Sequence, residues 1–100
     1  MYGLENKYLK FILSVLQKNI PDTDAKFYIF GSRVKGTYKE YSDIDLAIKL
    51  NNKKLAADIV GKILIEFTDS TLPYEVDVID LNSIDDSFKN LIKDSLVEIF

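Results

Sequence analysis

The sequence predicts a single α/β domain of the α+β kind over residues 1–100, a small mixed sheet of about three strands packed with helices. Three observations predict it. Apolar residues recur at three- and four-residue steps near the start, in the middle and near the end of the chain. Short β-rich runs bounded by Gly, Asn and Pro lie between those stretches. A chain of 100 residues can bury one core but not two, so any function must sit on that core or be completed by another chain.

Leu4, Tyr8, Leu9, Ile12, Leu13, Leu16 and Ile20 mark an amphipathic helix through the first twenty residues, stopped before Pro21. Asp22 to Asp24 make a turn, and Lys26 to Phe30 is a short aromatic strand ended by Gly31. From Ile44 to Leu50 the row Ile44, Leu46, Ile48 and Leu50 alternates against Asp43, Asp45, Ala47 and Lys49, as in a strand with one apolar face. Asn51-Asn52 can cap a second helix, marked by Leu55, Ile59, Val60, Ile63, Leu64 and Phe67 and running to about Thr68. Gly61 inside it costs roughly 1 kcal/mol relative to Ala, which a close packing contact would explain. Leu72-Pro73 breaks the chain, Tyr74 to Ile79 reads as a third strand, and Ile84, Phe88, Leu91, Ile92, Leu96 and Ile99 read as a last helix. Ser83 and Asp86 stand there in capping-box positions.

Composition excludes several classes of chemistry. The chain has no Cys and no His, so disulfides, thiol and imidazole catalysis and the usual zinc sites are ruled out. Any metal must be held by oxygen, which favours Mg²⁺ or Mn²⁺. The apolar run from Phe11 to Leu16 falls far short of the ~20 residues of a membrane span. The first ten residues lack the pattern of a signal peptide, and a cytoplasmic location is the expectation. Net charge is −3 but uneven: residues 1–65 carry eleven basic and seven acidic side chains, residues 66–100 two and nine. The acidic third argues against nucleic acid as a partner and is either a solvated face or a docking surface for a basic one.

The chemistry concentrates between residues 30 and 45. Gly31-Ser32 directly follows a strand and Gly36 closes the small loop, so backbone N–H groups and the Ser32 hydroxyl can face a polyphosphate, with Arg33 and Lys35 adding positive charge. Asp43 and Asp45 leave one face of a strand with Cα atoms ~6.5 Å apart and can bracket divalent ions. Two-metal phosphoryl transfer places its ions ~3.5–4 Å apart and wants a further carboxylate from a neighbouring strand. Asp77 is the best candidate, since it interrupts the apolar run of Val76, Val78 and Ile79 where a charge is expensive to bury unpaired. Asp80 is the weaker option, because it falls at the strand end and can simply cap the next turn.

Gly31-Ser32, ten residues, Asp43-x-Asp45, and a later Asp77 in a strand resemble the signature of the DNA polymerase β-like nucleotidyltransferase superfamily. Within it the chain is similar over its whole length to the minimal nucleotidyltransferases, the antitoxin halves of pairs with helical toxins of the HEPN class. The resemblance implies that Gly31 and Ser32 bind the triphosphate, that Asp43 and Asp45 ligate two Mg²⁺ or Mn²⁺ ions, and that Asp77 completes the metal-binding, catalytic triad. Arg33 and Gly36 match the frequent Gly-Ser-Arg-x-x-Gly form and are implied in nucleotide binding. The implied activity is transfer of AMP from ATP to a hydroxyl, a tyrosine of the cognate HEPN toxin, which silences that toxin.

Two other functions fit the same residues. One is a non-catalytic antitoxin that neutralises its partner by docking alone; three carboxylates kept together argue against it. The other is the catalytic subunit of a two-component enzyme acting on an aminoglycoside-like small molecule, with the partner supplying the acceptor pocket. Tyr2, Tyr38 and Tyr41 are expected at the surface, as ordinary exposed aromatics or as part of an oligomeric interface.

Overall fold

Alternating apolar faces become layers in the computed structural model, which describes residues 1–99. The elements run α1 (Asn6–Asn19), β1 (Lys26–Phe30), α2 (Ser32–Lys35), β2 (Ile44–Lys49), α3 (Ala57–Thr68), β3 (Val76–Asp80), α4 (Asp86–Ile92), a 3₁₀ turn (Lys93–Ser95) and β4 (Val97–Glu98). The strands form one mixed sheet in the order β3-β2-β1-β4. β1 lies antiparallel to β2 and β4, whereas β3 runs parallel to β2 after the crossover through α3.

The alternation in β2 divides the core. Ile44, Leu46 and Ile48 pack with Ile12 and Leu16 of α1, Ile63 and Phe67 of α3, and Phe27 and Ile29 of β1. Ala47 points the other way, into a smaller cluster with Phe30, Leu81 and Ile92 of α4. Helices α1 and α3 thus cover one face of the sheet and α4 covers part of the other. Asp45 and Asp77, on the alternate positions with Ala47 and Ile79, belong to the α4 face.

Three expectations change. The sheet has four strands, because the last helix ends at Ile92 and Val97–Glu98 pairs with Tyr28 and Ile29 at the β1 edge. Leu96 follows a 3₁₀ turn over Lys93–Ser95, and Ile99 donates its N–H to the Phe27 carbonyl at 2.9 Å, so their helical spacing in sequence does not make a helix. Asn51 and Asn52 do not cap α3: its N-cap is Ala56, without a side-chain bond, and Asn52 takes a left-handed conformation in the preceding loop. Asp80 anchors that loop instead, accepting from the N–H groups of Leu55 (2.8 Å) and Asn82 (3.0 Å) and from Ser83 Oγ (2.7 Å). The cap of α4 is Asp85, whose Oδ1 accepts from the Phe88 N–H at 2.8 Å, while Ser83 serves Asp80.

Gly61 has no packing partner at its missing Cβ, since nothing lies within 4 Å of that position. The helical propensity lost there is recoverable. Gly61→Ala is therefore expected to stabilise the domain by about 1 kcal/mol, seen as a higher midpoint in thermal or urea unfolding. An unchanged or lower midpoint contradicts the packing described for α3.

Candidate functional site

Register brings the carboxylates together. In the parallel ladder Asp45 is the Cα partner of Asp77, and in the antiparallel ladder it is the partner of Phe30, the last residue before Gly31. Asp43 sits two residues upstream, exposed, immediately before β2 begins. Gly31, Asp45 and Asp77 therefore lie side by side across one end of the sheet. Asp77 is exposed on edge strand β3, so the burial cost that first singled it out does not operate. Its pairing with Asp45 is what places it in the site.

Asp45 is half-buried, and its carboxyl is held above the ordinary carboxylate range, first by burial, then by the charges of Asp77 and Asp43. Three negative groups thus converge on a partly desolvated position. A hard divalent cation fits this donor set, which is oxygen throughout and gains relief from its own repulsion when a cation is added. Among the described residues no three acidic side chains close into a cage around an ion by themselves. A cation held here would need waters or substrate phosphates to complete its coordination, as Mg²⁺ commonly does.

Gly31 turns the chain with φ 80° and ψ −150°, a region almost reserved for glycine. A Cβ there would collide with Asp45 Oδ2, so glycine also lets the turn approach the carboxylate. The Gly31 N–H reaches Ser95 Oγ at 3.5 Å, and the Gly31 carbonyl accepts from the N–H groups of Val34 and Lys35. Among the described residues the Ser32 N–H has no such partner, and it stands with the Ser32 hydroxyl at the start of α2. Gly36 ends α2 in the left-handed conformation, its N–H bonded to the Ser32 carbonyl.

Arg33 departs from the expectation of a phosphate ligand. It is 2% exposed, and its guanidinium donates to the carbonyls of Ser42 (Nη2 2.7 Å, Nε 3.2 Å), Tyr2 (Nη1 2.9 Å) and Glu40 (Nη2 3.5 Å). Tyr38 and Tyr74 lie against it with ring centroids 5.1 and 4.6 Å away. Of the three tyrosines expected at the surface, Tyr2 and Tyr38 are half-buried here and Tyr41 is exposed. Ser95 and Tyr74 were not legible as site neighbours, because nothing in their local sequence signals contact with Gly31 or Arg33. Asp80 lies outside the constellation, occupied with its turn.

Comparisons with known proteins bear on the family and the fold. The nucleotidyltransferase domain family matches residues 9–99. A probable protein adenylyltransferase MntA of Haemophilus influenzae is 33% identical over 96 residues, spanning 96% of this chain and 82% of that protein. The crystal structure of a toxin-antitoxin with AMP-PNP superposes with a TM-score of 0.74 at 26% identity, over 96% of this chain and 73% of that one. An MNT antitoxin in complex with a tri-AMPylated HEPN toxin of Shewanella oneidensis shares the fold, with a TM-score of 0.71 at 21% identity over 97% of this chain and 72% of that one.

The raised proton affinity of Asp45 has a stability consequence. A carboxyl whose folded pKa lies above its ordinary value of 3.8 favours the fold only while protonated. That contribution is lost as pH rises through the raised value, so ionised Asp45 costs stability at neutral pH. In chelator, Asp45→Asn is expected to melt a few degrees above wild type at pH 7, with the gap closing as pH falls below the ordinary value. Solvent screening of this half-exposed group keeps the gap small. A lower midpoint for the variant at pH 7 would contradict a net cost of ionised Asp45 to the fold.

Proposed function

The chain belongs to the nucleotidyltransferase domain family, and on that premise we propose that it is a metal-dependent protein adenylyltransferase. It moves AMP from ATP onto a hydroxyl, a tyrosine of a HEPN-class toxin, and thereby acts as the antitoxin of the pair. The observation that carries this reading is the convergence of Asp43, Asp45 and Asp77 beside the Gly31-Ser32 turn. A relative called a probable protein adenylyltransferase, and a neighbour of the same fold crystallised with AMP-PNP as part of a toxin-antitoxin, support the donor and the acceptor class.

Each group has a part in the transfer. The Ser32 N–H and hydroxyl receive the triphosphate, and the glycine at 31 lets those phosphates approach Asp45 without a side chain between them. Asp43 and Asp45 would hold two divalent cations, with Asp77 as the third carboxylate, and the cations would supply charge neutralisation for the triphosphate and Lewis acidity toward the acceptor hydroxyl. Asp77, exposed on the sheet edge, is accessible to an acceptor and takes its proton. The acceptor oxygen then forms its bond to the α-phosphorus, the bond from that phosphorus to the bridging oxygen breaks, and pyrophosphate leaves with the electron pair. A half-buried Asp45 held between two exposed carboxylates makes sense in a site that binds cations, and not in a module that only docks.

The pure protein, incubated with ATP labelled at the α-phosphate, Mg²⁺ and the HEPN-class protein of the adjoining gene, is expected to label that protein on tyrosine. Asp43→Ala is expected to lower the rate roughly 100- to 1,000-fold, on the order of what removal of an essential electrostatic group costs. Absence of label with wild type, or equal label with the variant, overturns the proposal. Label on an added aminoglycoside instead would favour the two-component small-molecule enzyme.

A further inference from the structure

Arg33 is a buried cation without a carboxylate partner: none of the ion pairs among the described residues involves it. Four hydrogen bonds to backbone carbonyls engage all three of its nitrogens, and two tyrosine rings lie against it. One Nη1 N–H is left over, but at 2% exposure the fork meets a phosphate in solvent only by withdrawing from the carbonyls of Ser42 and Tyr2, which would lose buried bonds.

The segments it holds are the informative part. Arg33 follows Gly31-Ser32 directly, Ser42 immediately precedes Asp43, and Tyr74 stands three residues before Asp77. One side chain therefore ties the phosphate-facing turn to the chain segments that deliver both outer carboxylates. The loop it grips is otherwise ordered by a tight turn, in which Ser42 N–H donates to the Lys39 carbonyl (3.1 Å) and Lys39 N–H to Ser42 Oγ (2.7 Å), by the Tyr41 ring near Tyr74 (6.4 Å), and at its end by Ile44 N–H on the Glu75 carbonyl (2.9 Å). The loop is otherwise largely exposed, Tyr41 to 67%.

We propose that Arg33 is a positioning residue that fixes Asp43 relative to the Gly31-Ser32 turn by clamping the Ser42 carbonyl, and that it does not bind the nucleotide. This rests on the reading that Asp43 holds a divalent cation. A lysine at 33 keeps the charge but cannot make the forked contact to Ser42 while also reaching Tyr2. A positioning role and a phosphate-ligand role therefore part company at this substitution.

The test compares wild type, Arg33→Lys and Tyr38→Leu by Mn²⁺ titration in the presence of AMP-PNP and by hydrogen exchange of residues 40–43. We expect Arg33→Lys to stay folded by circular dichroism, to bind Mn²⁺ roughly 10-fold more weakly, as losses behind a metal ligand do, and to exchange faster across residues 40–43. Tyr38→Leu, which leaves the guanidinium bonds but removes one ring, should show both changes at smaller size. Unchanged exchange across residues 40–43, with AMP-PNP affinity lowered more than AMP affinity relative to wild type, would make Arg33 a phosphate ligand and overturn the proposal. If Arg33→Lys does not fold, Tyr38→Leu decides by the same two readouts. If wild type binds no Mn²⁺, the metal-dependent function falls, and exchange at residues 40–43 alone decides the role of Arg33.

Discussion

Parallel pairing of β2 with β3 is the constraint on which the site depends. It sets Asp45 opposite Asp77, and the antiparallel pairing of β2 with β1 sets the same aspartate beside the end of the strand that leads to Gly31. A slip of one residue in either ladder would turn Asp45 toward the apolar layer of α1 and α3. The register is secured by the buried row Ile44, Leu46 and Ile48, so the core that stabilises the fold also aims the carboxylates. Hydrophobic burial and chemistry are coupled through the alternation of one strand.

That coupling has a cost at the sheet end. Like charges gathered on a half-buried position oppose folding, and Asp45 registers this through burial and through both neighbouring carboxylates. The surroundings are built to tolerate it. Glycine at 31 leaves room for the Asp45 carboxylate, Ser95 is buried against the turn, and Arg33 pins the loop that carries Asp43. Strain and repulsion of this kind commonly mark a functional site, where the ligand supplies what the protein alone lacks.

Much of the fold was legible because periodicity is a local property: α1, β1, β2 and α3 follow from apolar spacing and from breakers such as Gly31 and Pro73. The Gly-Ser turn and the Asp-x-Asp were legible for the same reason, since each lies within a few residues. The rest depended on contacts between distant segments. β4 is two residues long and is defined by its partner β1, so Leu96 and Ile99 read equally well as a helical face. Asp77 entered the site through a register that no local pattern encodes, and its exposure on an edge strand reversed the burial argument made for it. The contacts of Arg33 were not legible, because a charge beside a glycine turn suggests an anion, whereas in the structure it meets carbonyls at Tyr2 and Ser42 and rings at Tyr38 and Tyr74. Asn51 and Asn52 looked like caps, but Asp80 reaches across to anchor their loop.

The central claim is that one end of this sheet binds a nucleoside triphosphate through the Gly31-Ser32 turn and its cations through Asp43 and Asp45. A crystal structure of the protein with AMP-PNP and Mn²⁺, with anomalous data collected for the metal, tests it most directly. The account predicts anomalous density touching Asp43 and Asp45 and phosphate oxygens in contact with Ser32. Nucleotide bound elsewhere, or metal density away from those two carboxylates, would contradict it.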